Sequence, residues 1–110
     1  MKDEKTAQIR ALNDQFRQTG IGGIILHTNG IQALGQEFMA KTVQGVIAFD
    51  DFGPNNDPYG EHDFGALTIA ENRIFWKIDY YGNDMESGTP DPSDPNLTKR
   101  VLTIMLASEY

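Results

Sequence analysis

The chain contains no cysteine in its 110 residues. That excludes disulfides, thiolate nucleophiles and cysteine-held zinc or iron–sulfur sites. It also fits a reducing compartment, so the expected location is the cytoplasm. No apolar run approaches the roughly 20 residues that cross a bilayer, and Met1–Gln8 has no apolar stretch of the signal-peptide kind. No membrane association is therefore expected. Basic residues are scarce, with 9 Lys and Arg against 16 Asp and Glu, for a net charge of −7.

Several chemical signatures are missing as well. Gly20-Ile21-Gly22-Gly23 is not followed by a Lys-Ser/Thr pair, so it is no phosphate cradle. The serines, Ser87, Ser93 and Ser108, sit in no Gly-x-Ser-x-Gly elbow. There is no His-Glu-x-x-His and no EF-hand pattern. Nothing in the chain calls for a cofactor.

The charge that is present is unevenly placed. Residues 50–94 carry eleven acids against Arg73 and Lys77, a balance of −9, while the remainder is +2. Such a surface repels phosphates and argues against direct nucleic-acid binding. A cation or a basic protein surface is the complementary partner. The charge is densest from Asp50 to Asp63, a stretch with Asp50, Asp51, Asp57, Glu61 and Asp63, one of two histidines, and no Lys or Arg. Gly and Pro punctuate it, so the backbone turns here. Irregular loops of this length inside a small domain are uncommon unless they are functional or mobile.

At this length the chain is expected to be one α+β domain over residues 1–110. Ile9, Leu12 and Phe16 give an apolar stripe for a helix over 4–18, closed by Gly20. Asn29-Gly30 between Ile24–Thr28 and Ile31–Leu34 is a strong hairpin signal. A second helix is expected over 36–50, on the spacing of Phe38, Met39, Thr42, Val43, Val46 and Ile47, with Gly45 marking close packing. Phe64–Ala70 and Arg73–Tyr81 alternate as a second strand pair about Glu71-Asn72. That register sets Leu67 opposite Trp76, with Leu67, Ile69, Ile74, Trp76 and Ile78 on one core face. Asp94-Pro95 resembles a helix start, and Leu97, Val101, Ile104 and Met105 give a third helical stripe. The expected order is α-ββ-α-ββ-α, a mainly antiparallel four-stranded sheet packed by helices.

Two chemistries are open at the acidic loop. In the first it is a binding surface made of Asp50, Asp51, Asp57, Tyr59, Glu61, His62 and Asp63, with Tyr80 and Tyr81 at the end of the neighbouring strand. In the second, the expected hairpin register puts His62 beside Asp79, Lys77 and Tyr81, a set suited to acid–base catalysis because His titrates near neutrality and Asp orients it. Glu61, His62 and Asp63 are also three potential metal ligands in a row, but an extended chain points His62 away from the other two. Asp57-Pro58-Tyr59-Gly60 also fits a β-turn, and His27 reads as a sheet or surface histidine.

Four stretches carry a resemblance: Leu12–Arg17, Asn56–Gly65 (Asn-Asp-Pro-Tyr-Gly-Glu-His-Asp-Phe-Gly), Phe75–Tyr81 (Phe-Trp-Lys-Ile-Asp-Tyr-Tyr) and Arg100–Ala107. With them, nearly the whole chain resembles short bacterial proteins grouped only as a domain of unknown function, often found on plasmids and other mobile elements. The resemblance implies a bacterial cytosolic protein and carries over no activity. Combined with the acidity, it suggests a non-enzymatic binder whose carboxylates stand in for phosphates in a host nuclease or defence complex, of the anti-restriction or anti-CRISPR type. The alternative is a small metal-dependent or His/Asp acid–base enzyme.

Overall fold

The computed structural model describes residues 2–110, with side chains from Glu4 onward. Helix α1 (Lys2–Thr19) leads into strand β1 (Gly23–His27), a single turn of helix α2 (Asn29–Gln32) and helix α3 (Gln36–Ala48). The acidic loop follows. Strands β2 (Phe64–Ile69), β3 (Asn72–Tyr81) and β4 (Lys99–Leu106) complete one sheet in the order β1-β4-β3-β2, and a 3-10 turn (Ala107–Glu109) ends the chain. The fold is α+β with a mixed sheet, since β1 pairs with β4 in parallel while β4-β3 and β3-β2 are antiparallel.

Two expected elements are corrected. The Asn29-Gly30 hairpin does not form. Thr28 flanks the N-terminus of α2, where the Glu109 carboxylate accepts from Thr28 Oγ1 at 2.6 Å and from Gly30 N at 3.0 Å. The partner of β1 comes instead from the far end of the chain, and Ile31 enters the core as a helical residue, fully buried. The helix expected beyond Asp94-Pro95 is strand β4. Asp94 caps a turn by accepting from Asn96 N at 2.9 Å. Val101, Leu102, Ile104 and Met105 are all buried, and a near-continuous apolar run is what a central strand needs. Helical spacing was present in the same residues by coincidence, and the lateral hydrogen bonds of two neighbouring strands decide the outcome. The expected α-ββ-α-ββ-α order and mainly antiparallel sheet therefore give way to α-β-α-α-β-β-β.

The β2–β3 hairpin is two residues out of the expected register. Ala70 and Glu71 form the turn with φ of 48° and 69°, so Ile69 faces Asn72 and Leu67 faces Ile74. A two-residue slip conserves the face of every side chain, where a one-residue slip would invert it. The expected core face accordingly holds, with Ile74 and Trp76 fully buried. Trp76 lies opposite Gly65, where a Cβ would collide with the indole Nε1, so this position admits only glycine. Phe49 and Phe52 meet the indole edge-on at 5.5 and 6.2 Å. Gly45 on α3 is closed off by Leu67, which is the close packing its position suggested.

Candidate functional site

On α1, Ile9 and Phe16 are buried as expected, but so are Asn13 and Arg17. Together with Arg10 and Asp14 they fall at i, i+3, i+4 and i+7, the spacing of one helical face. This polar stripe grips the acidic loop. Arg10 Nη1 donates to Gly60 O at 3.0 Å, and Asn13 Nδ2 donates to Glu61 O at 3.0 Å. Arg17 Nη1 donates to the carbonyls of Val46 (2.7 Å), Ile47 (3.2 Å) and Phe49 (2.8 Å), closing the C-terminus of α3 just before the loop begins. Its guanidinium also lies 5.4 Å from the ring centroids of both Phe52 and Trp76.

His62 is the centre of the loop. Its Nδ1 donates to Asp14 Oδ1 at 2.9 Å, its Nε2 lies 3.6 Å from Asp57 Oδ2, and its ring stacks on Phe52 with centroids 3.7 Å apart. The backbone pays a conformational cost here, since His62 has φ of 55°, uncommon for a residue with a side chain. The bond from His62 N to Asp57 Oδ1 at 3.1 Å and the ring contacts hold it there. The Asp57 side chain is only 6% exposed. It belongs to the loop's interior and is not presented to solvent.

Glu61 and His62 point to different partners. The Tyr80 hydroxyl donates to Glu61 Oε1 at 2.7 Å and accepts from Asn13 Nδ2 at 2.7 Å. Asn13 Oδ1 accepts from Arg100 Nε at 2.7 Å. Burial, reinforced by the bond to Glu61, holds the Tyr80 hydroxyl far above its ordinary range, so it stays a neutral donor. Asp63 is half-buried and its carboxyl is raised, first by burial and then by the charges of Glu61, Asp57 and Asp79. Among the described residues no three His, Asp or Glu side chains are grouped to hold a metal ion.

The expected His62–Asp79–Lys77–Tyr81 cluster is not what forms. Asp79 pairs with Lys77 at 2.9 Å on the open face of the sheet, and this bond raises the lysine's pKa. His62 turns to α1 and Asp57. The reason is the left-handed backbone at His62, which breaks the extended geometry on which that placement relied. Asp50, Asp51 and Tyr59 are exposed, Tyr59 by 80%. Tyr81 is half-buried at the end of β3. The sequence reading missed Arg10, Asn13, Asp14 and Arg17 as site residues. Their signal was the helical spacing of polar groups opposite an acidic loop.

Residues 27–109 match the family described as a protein of unknown function, DUF3768. The chain belongs to that family. No curated protein and no solved structure matches it. The DUF3768 stretch contains the acidic loop, β2, β3 and β4, whereas α1 and its polar stripe lie N-terminal to it. Three of the four motif segments thus fall within the family, and Leu12–Arg17 does not. No helix among the described residues is long and apolar enough to cross a membrane.

Proposed function

We propose that this member of DUF3768 is a non-enzymatic binding protein that docks a pre-shaped acidic loop onto a basic protein surface. The observation that carries the reading is the division of labour within the loop. Asp57, Glu61 and His62 face inward and fix its shape, while Asp50, Asp51 and Tyr59 stand free at its surface. A loop already ordered before binding loses little entropy on docking. An exposed tyrosine beside carboxylates is a composition suited to a basic partner. A nucleic-acid channel in a nuclease or defence complex has that character, and the carboxylates would occupy phosphate positions there.

The contact between His62 and Asp14 favours a second reading, an acid–base enzyme. Against it, the His62 ring is stacked on Phe52, its side chain is only 23% exposed, and Asp57 Oδ2 stands 3.6 Å from Nε2, on the side from which a substrate would have to approach.

The test is capture of the partner from a bacterial host, followed by kinetics with the purified pair. Asp50→Lys with Asp51→Lys should slow association, and wild-type association should fall steeply with salt. Tyr59→Ala should speed dissociation. Binding that survives molar salt and all three substitutions would sink the proposal.

A further inference from the structure

A cleft lies away from the acidic loop, at the end of the sheet where β1 and β4 begin side by side. Its volume is about 760 Å³, within the range of small-molecule sites. The floor is Phe16 of α1 and the Gly22-Gly23 backbone, and Ile21, Ile24 and Met85 form the walls. These three walls are unusually open for apolar side chains, at 75%, 48% and 40% exposure. Their grouping around one cleft is what a binding site needs, whereas scattered exposed apolar residues need no explanation.

Charge identifies the occupant. The chain has 16 acids and 9 bases, yet among the described residues no Asp or Glu lines the cleft, while Lys99 and Arg100 do. Arg100 is committed to the fold, with Nε on Asn13 and Nη2 on Pro92 O at 2.6 Å. Lys99 is exposed and makes no ion pair among the described residues. A free ammonium at the rim of an apolar cleft, in a chain that elsewhere is rich in carboxylates, complements a ligand with an apolar body and one anionic end.

We propose that this cleft binds a small amphipathic carboxylate, its acyl chain lying against Ile21, Ile24 and Met85 and its carboxylate at Lys99. The site goes beyond the acidic loop. Its lining shares no residue with the partner-docking surface, so either can fail without the other.

Titration of the full chain with octanoate, followed by amide NMR shifts, tests this, with 1-octanol as the neutral control. Saturable shifts are expected at Gly22, Gly23 and Thr98–Arg100, with octanol binding more weakly. Lys99→Ala should weaken octanoate about fivefold, the scale of one partly exposed ion pair, and leave octanol unchanged. Ile21→Asp, at a position 75% exposed, should weaken both. Shifts scattered over other exposed apolar residues such as Leu34 and Ile47 would overturn the proposal. So would equal affinity for octanoate and octanol, or indifference to Ile21→Asp. Saturation of the cleft by a blocked Asp-Leu-Asp-Leu peptide but not by octanoate would overturn it in favour of a protein ligand.

Discussion

Two long irregular segments of this chain have nearly the same composition and opposite architecture. Residues 50–63 and 82–98 are both acidic, both rich in Gly and Pro, and both lie beside the ends of β2, β3 and β4. The second is tied mostly to itself. Asp84 Oδ1 accepts from the amides of Glu86 and Ser87, Asp91 Oδ1 accepts from Ser93 N and Oγ, and Thr98 Oγ1 donates to Asp91 O. These are short-range turns of the kind Asp, Ser and Thr make wherever they occur. The first is held chiefly from a distance, by Arg10, Asn13 and Asp14 about fifty residues earlier and by Tyr80 on β3.

The difference shows in the acids themselves. Backbone and side-chain hydrogen bonds hold Asp84 and Asp91 below the usual carboxylate range, whereas burial and neighbouring charges push Asp63 above it. Equal acidity therefore has opposite consequences. One loop uses its carboxylates to solve local backbone geometry, and the other concentrates them against repulsion, which calls for outside support.

The largest expected effect falls on the core beneath the first loop. Trp76→Ala should cost roughly 3–5 kcal/mol, because the indole supports the Phe49–Phe52 corner and the centre of the sheet together. Denaturant unfolding measures it. A loss below ~1 kcal/mol would mean that the corner does not rest on the indole.

Asn13→Ala should separate the two loops. It leaves Arg100 Nε, Glu61 O and Tyr80 OH each short of a partner, at a cost of about 1–3 kcal/mol. Hydrogen exchange should quicken at Gly60–Asp63 and stay unchanged at Glu86 and Ser87. Equal quickening in both would remove the distinction between distant and local anchoring.

Asp63→Asn should stabilise the protein at neutral pH. A raised folded-state pKa means that Asp63 favours folding when protonated and opposes it once pH rises through that value. The advantage of the amide should therefore shrink on acidification, and thermal melts from pH 7 down to about pH 4 would follow it. A gain that persists unchanged into acid would assign the effect to packing instead of charge.

The smallest effect belongs to Asp84→Asn. Its lowered carboxyl favours folding above the unfolded value and loses that contribution as pH falls through the folded one. The substitution should slightly lower neutral-pH stability, have no effect in strong acid, and quicken exchange only at Glu86 and Ser87. Any response at His62 would show that the loops communicate.

The sequence by itself determined the class of the molecule and its periodic parts. The stripe from Ile9 to Phe16, the face from Phe38 to Val46 and the alternation from Ile74 to Ile78 each repeat a local backbone geometry, so they can be read without a partner. It also marked the acidic loop, because carboxylates without cations are visible in composition. Only the tertiary structure decided that Val101–Met105 is a strand, since its neighbours β1 and β3 supply the hydrogen bonds that make it one. The same holds for Asn29-Gly30, whose helical turn depends on Glu109, 79 residues beyond Gly30. It holds again for His62, where a left-handed backbone turns the ring from Asp79 to Asp14. In each case the deciding bond joins residues far apart in the chain, and local spacing carries no record of it.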